Sequence, residues 1–136
     1  MDSTTTKSNM ANDKPPMQNR EYWVKHDGKP ILVHDYSGLV GDEIAETLET
    51  LTELVVSRGI YETLFLFDAT DMIVNRKAMT VAKRCGPKVK PYTKKMAVIG
   101  VEGVARHLTH VVDAFVGFGL RVFDSREDAL DWLVED

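Results

Sequence analysis

Residues 96–133 read strand, helix, strand, helix, with a stop signal at each boundary, and that order commits the chain to an α/β layout. Met96–Ile99 is a short apolar run without alternation, as expected of a central strand covered on both faces. Gly100 and Gly103 open a turn into a helix whose apolar positions Val104, Leu108, Val111, Phe115 and Phe118 recur at spacings of 4, 3, 4 and 3, which predicts one buried face. Gly119 stops that helix and Leu120–Phe123 predicts a second strand. Ser125, with Asp128 three residues on, predicts a capped last helix.

Earlier segments extend the same grammar. Glu21–His26 and Ile31–Tyr36 flank the turn-forming stretch His26-Asp27-Gly28-Lys29-Pro30, which predicts an N-terminal antiparallel hairpin. Gly41–Arg58 carries Ile44, Leu48, Leu51 and Val55 on one side and acids in its first turns, and Gly59 follows it. Thr63–Phe67 is another apolar strand, with Asp68-Ala69-Thr70-Asp71 as its exit loop. Asn75 is placed to cap a helix from Arg76 to about Cys85, where Gly86-Pro87 and then Pro91 are expected to interrupt it. The expected fold is a single α/β domain over residues 20–136, preceded by a disordered polar tail over residues 1–19. Its mixed sheet has about five strands, with four helices distributed over both faces.

Composition excludes several functions. No apolar run approaches the roughly 18–20 residues of a membrane-spanning helix, and the polar start lacks a signal-peptide core, so a cytoplasmic protein is expected. One cysteine, Cys85, permits neither an internal disulfide nor a multi-cysteine metal knuckle. The net charge of −4 conceals a dipole. Between Asp71 and Glu102 there is no acid, while Arg76, Lys77, Lys83, Arg84, Lys88, Lys90, Lys94 and Lys95 supply eight of the 17 basic residues. The rest of the chain holds nine basic against 21 acidic residues. Nucleic acid is not the expected partner, because the remainder is acidic and the basic run contains only Tyr92 as a stacking aromatic.

The element order, Gly38 before the first helix, the exit Phe67-Asp68, the strand and turn Ala97-Val98-Ile99-Gly100-Val101 with Gly103, and the ending Val122-Phe123-Asp124 with Ala129, Trp132 and Leu133 resemble SpoIIAA-like proteins of the STAS/SEC14 type over residues 21–134. The resemblance implies a STAS-like fold without enzymatic chemistry. It also implies roles as a partner-switching antagonist, a regulatory module, or a holder of nonpolar molecules. Antagonists of that type carry a phosphorylatable Ser or Thr at the start of the second main helix, where phosphate adds about two negative charges. Here that start reads Val74-Asn75-Arg76-Lys77-Ala78, so no phosphorylation site is carried over.

Candidate chemistry is sparse. His107, His110 and Asp113 share a helical edge, yet a lone H-x-x-H supplies two metal ligands, and no metal or other cofactor is expected. Gly100-x-x-Gly103 lacks the pattern of a phosphate loop. Cys85, among Lys83, Arg84 and Lys88, has no neighbouring histidine to act as a base and reads as a small buried residue. Asp68, Asp71, Asp124 and Glu102 fall near strand exits, where acids also cap turns. The leading expectation is a regulatory module, not an enzyme, that docks an acidic protein or a second copy of itself through Arg76, Lys77, Lys83 and Arg84. The alternative is a small carrier for a nonpolar, lipid-like ligand, held by Phe115, Phe118, Met72 and Trp132 in a groove between the C-terminal helices.

Overall fold

Asp27 and Gly28 turn the chain with positive φ at both positions (51° and 81°), the backbone sense that matches the twist of two adjoining strands. A computed structural model, describing residues 19–101 and 120–136, shows the hairpin they create. Strand β1 (Glu21–His26) pairs antiparallel with β2 (Lys29–Asp35), Glu21 opposite His34. Strands β3 (Thr63–Asp68), β4 (Thr93–Ile99) and β5 (Arg121–Phe123) follow in parallel, giving one five-stranded mixed sheet in the order β1-β2-β3-β4-β5.

Helices α1 (Asp42–Arg58) and α2 (Arg76–Val89) connect β2 to β3 and β3 to β4. Both crossovers step the same way across the sheet, so right-handed connections put both helices on one face. There Val55 packs on Leu32 and Phe65, and Ile44 and Ala78 pack around Tyr36. Helix α3 (Arg126–Val134) covers the opposite face, its Ala129 and Leu133 buried against Ile31, Val33, Leu64, Leu66, Ala97 and Ile99. Helices therefore lie on both faces, as expected. Three α-helices stand among the described residues, where four were expected; the helix expected over residues 104–118 lies outside them, as does the polar tail before residue 19.

Strand β2 runs from Lys29 to Asp35, where Ile31–Tyr36 was expected, and two boundaries differ from expectation by three residues or more. Helix α2 does not end at Cys85 but runs through Gly86-Pro87 to Val89. Pro87 sits in the last turn, where its missing N–H forfeits a single helical bond, and Lys90 N–H closes the end on the Gly86 carbonyl. Pro91 then falls in a 3₁₀ turn, Lys90–Tyr92. Strand β4 begins at Thr93, three residues before its apolar run. Lys95 is accommodated because its Nζ donates to the carbonyls of Trp132 (2.9 Å) and Glu135 (2.8 Å), at the negative end of α3.

Other expectations hold. Ser125 Oγ accepts from Asp128 N–H at 3.1 Å, and Asn75 Oδ1 accepts from Ala78 N–H at 2.8 Å. Gly59 closes α1 in the left-handed conformation. Parallel pairing continues beyond the strands as Tyr36 N–H bonds Asp68 O, Gly38 N–H bonds Thr70 O and Ala69 N–H bonds Ile99 O. Gly100 packs so closely against this loop that a Cβ would stand 2.5 Å from the Thr70 nitrogen and 2.4 Å from its hydroxyl. With φ at +84° as well, only glycine fits there.

Candidate functional site

The period of two along β2 points Leu32 and His34 toward α1 and α2, and Tyr36, one residue past the strand, continues the row. Between this face and the two helices lies a cavity of about 670 Å³. Its wall is largely apolar. Leu48 and Leu51 come from α1, Met79, Ala82 and Cys85 from α2, and Phe67, Met96 and Val98 from the sheet. Ala69, Thr70, Gly100 and Val101 line it at the carboxyl ends of the strands, the end at which open α/β sheets hold their ligands.

Among the described polar groups of the wall are His34 and Tyr36. His34 is buried, and its Nε2 lies 2.9 Å from Glu21 Oε2 across the β1–β2 ladder. The ring also stands edge-on to Phe65, with centroids 5.2 Å apart. Arg58, in the last turn of α1, holds the other Glu21 oxygen. Burial pushes the Glu21 carboxyl up, but the hydrogen bonds and charges of His34 and Arg58 outweigh it and leave the group below the ordinary carboxylate range. It is an anion at neutral pH and can only accept hydrogen bonds.

Tyr36 stacks on Phe67 at 4.3 Å with its ring 14° from parallel, and it is 1% exposed. Burial, followed by the influence of Cys85 and Glu21, pushes its phenol far above the ordinary tyrosine value, so it keeps its proton. The Cys85 thiol is free and buried, packed among Ala45 and Val81. The arrangement is an apolar chamber with a buried imidazole and a buried phenol in its wall. Sequence reasoning did not find it. The signal was present in the alternation of Leu32, His34 and Tyr36, but the helices facing that row come from elsewhere in the chain.

Of the residues expected to form an apolar groove, Met72 and Trp132 are not brought together. Met72 lines the cavity, whereas Trp132 lies on the α3 side of the sheet, 5.4 Å from the Phe123 ring and beneath Lys95 and Arg121. The chamber therefore lies between α1, α2 and the sheet, and not beside Trp132. Phe115 and Phe118 lie outside the described residues, as do Glu102, Gly103, His107, His110 and Asp113.

The basic face is partly engaged within the molecule. Arg84 pairs with Glu49 and Lys77 Nζ lies 3.9 Å from Asp42, both across the α1–α2 seam; Arg76 and Lys83 are exposed on the same helix. Asp68 bonds the Thr70 N–H (3.0 Å) and hydroxyl (2.6 Å), the turn-capping role, while Asp71 and Asp124 lie exposed at the cavity's edge. One trio among the described residues has metal-compatible spacing, His26, Asp27 and Asp131, with ligand atoms within 4.8 Å of one another. It is a surface group in which His26 Nε2 meets Asp131 at 2.7 Å. Among the described residues, no helix is long and apolar enough to cross a membrane.

Residues 31–134 match the SpoIIAA-like family. No curated relative matches the sequence. The crystal structure of an uncharacterised protein with a SpoIIAA-like fold from Shewanella loihica PV-4 superimposes with a TM-score of 0.65 at 20% identity, over 83% of this chain and 91% of that one. That likeness concerns the fold. A sheet of this order, an N-terminal hairpin and a family match across most of the domain converge, and the chain belongs to the SpoIIAA-like family.

Proposed function

We propose that this chain is a cytoplasmic binding module, not an enzyme, and that its business end is the chamber under α1 and α2, which holds a small nonpolar molecule. The observation that carries the reading is an apolar volume of about 670 Å³, within the 300–1,000 Å³ typical of small-molecule sites. Methionines 72, 79 and 96 give the wall adaptable surface. What argues against nucleophilic chemistry is that no hydrogen bond among the described residues joins the Cys85 thiol to the His34 imidazole.

Docking of an acidic protein on α2 is the second reading, supported by the exposed Arg76 in a stretch without acids. It ranks lower because Lys77 and Arg84 already face acids of α1. Fluorescence of the nonpolar dye N-phenyl-1-naphthylamine separates the two. Saturable enhancement is expected with the native protein, lost in Ala82→Phe, whose ring grows into the chamber, and kept in the double variant Lys83→Glu, Arg84→Glu. No enhancement with the native protein, or enhancement unchanged by Ala82→Phe, overturns the chamber reading.

A further inference from the structure

From the outer edge of the sheet we infer a docking surface for a second copy of this chain: the β1 strands of two chains pair antiparallel about a two-fold axis at Trp23, joining their sheets edge to edge. Strand β1 is outermost in the strand order, so one of its sides has no neighbour in the sheet. It contributes no residue to the described chamber wall, and it lies apart from the basic helix α2.

The main chain decides which groups this edge offers. Arg20 O accepts from Asp35 N–H at 2.8 Å. Alternation along the antiparallel ladder then turns the N–H and C=O groups of Tyr22, Val24 and His26 toward β2, and those of Glu21, Trp23 and Lys25 outward. The outward groups bond nothing among the described residues. A second β1 running the opposite way, with Trp23 on the axis, sets Trp23 against Trp23 and, on each side of it, Glu21 against Lys25. Each such pair exchanges two main-chain bonds, so every outward group of the strand gains a partner. Any other axis leaves at least one of the three outward residues beyond the end of the partner's β1.

The side chains suit the same register. Trp23 is 45% exposed and Tyr22 37%, large aromatic surfaces for an outermost strand. On one face the two Trp23 rings meet across the axis, flanked by the exposed Lys25 of one chain against Glu21 of the other. On the opposite face Tyr22 meets Val24, an aromatic beside a β-branched residue. Glu21 already serves His34 and Arg58, so the tryptophans supply most of the contact while the charges help to set register. An axis at Lys25 would oppose two ammonium groups.

Sedimentation equilibrium on the full chain tests the pairing. Edges this short make a small interface, so the mass is expected to rise from one chain toward two between about 5 and about 500 μM. Trp23→Lys, which opposes like charges on the axis, is expected to weaken association at least about tenfold, and the thermal midpoint should hold because the side chain is half-exposed. Oxidised glutathione reads the register, with Cys85 buried and out of reach. Opposed Cα atoms on the axis stand about 5.5 Å apart, within disulfide range, so Trp23→Cys is expected to cross-link. Lys25→Cys is not, since its two copies stand roughly 14 Å apart along the strands. A single chain at every concentration, association unchanged by Trp23→Lys, or cross-linking through Lys25→Cys in preference to Trp23→Cys overturns the edge pairing. Should Trp23→Lys fail to fold, the two cysteine variants decide alone.

Discussion

Glu21 and His34 stand directly opposite each other in the β1–β2 ladder, with carboxylate and imidazole 2.9 Å apart and Arg58 on the carboxylate's far side. A hairpin at the edge of the sheet is thereby joined to the end of α1 by three charged or polar side chains. It also fixes which imidazole nitrogen faces the carboxylate. The pair is thus both a structural clasp and the back wall of the chamber.

Acid stability should report the clasp. Glu21 has a folded-state pKa below its ordinary 4.5, so its contribution is fully present above about 4.5 and fades as pH falls through the lower folded value. Glu21→Gln is expected to cost about 1–2 kcal/mol at pH 7. Urea denaturation at a series of pH values should show the gap between the two proteins narrowing below pH 4.5. A gap that widens on acidification contradicts the assignment.

The alkaline side should report Tyr36. An unfolded chain releases the phenolic proton near 10.0, whereas the buried phenol keeps it, so stability contributed by the neutral group is present below 10 and declines as pH rises above it. The native protein should lose stability relative to Tyr36→Phe between pH 10 and 11. Parallel curves for the two proteins would contradict a buried, protonated Tyr36.

Gly100 has no substitute. An alanine Cβ would overlap the Thr70 backbone and occupy a left-handed conformation at the same time, so Gly100→Ala is expected to lower unfolding free energy by about 2–4 kcal/mol. Thermal and chemical denaturation measure it. Thr70→Ala removes the hydroxyl but leaves the clashing backbone nitrogen and Cα in place, so it should not rescue the glycine variant.

The helix seam should be less sensitive. Arg84–Glu49 is an exposed ion pair, and Arg84→Ala is expected to cost under about 1 kcal/mol, diminishing further at high salt. Ser125→Ala, which removes the acceptor for Asp128 N–H, should cost about 1 kcal/mol at the start of α3 with little dependence on salt. Denaturation at low and high salt distinguishes the two behaviours.

What could be read from the chain was whatever is decided locally. Ser125 with Asp128, Asn75 before α2, Gly59 after α1 and the Asp27-Gly28 turn each act within a few residues, and each lies where the sequence places it. Lys94 and Lys95 concealed the start of β4, because the acceptors for Lys95 belong to α3, some forty residues on. Met72 and Trp132 show the limit from the other side. Both are apolar and were expected in one groove, yet a sheet separates them, and no periodicity states which face a crossover will cover. The chamber was harder still, since a volume between elements depends on how α1, α2 and the sheet meet. Tyr36, Phe67 and Cys85 look individually like ordinary core residues.

The loops after β2, β3 and β4 hold one another chiefly by main-chain contact, through Gly38 to Thr70, Ala69 to Ile99, and Gly100 pressed on Thr70. Peptide groups are common to every amino acid, so this rim of the cavity keeps its shape whatever side chains it displays at Asp71 and Met72. Related chains are thus free to swap residues there without renegotiating the scaffold beneath.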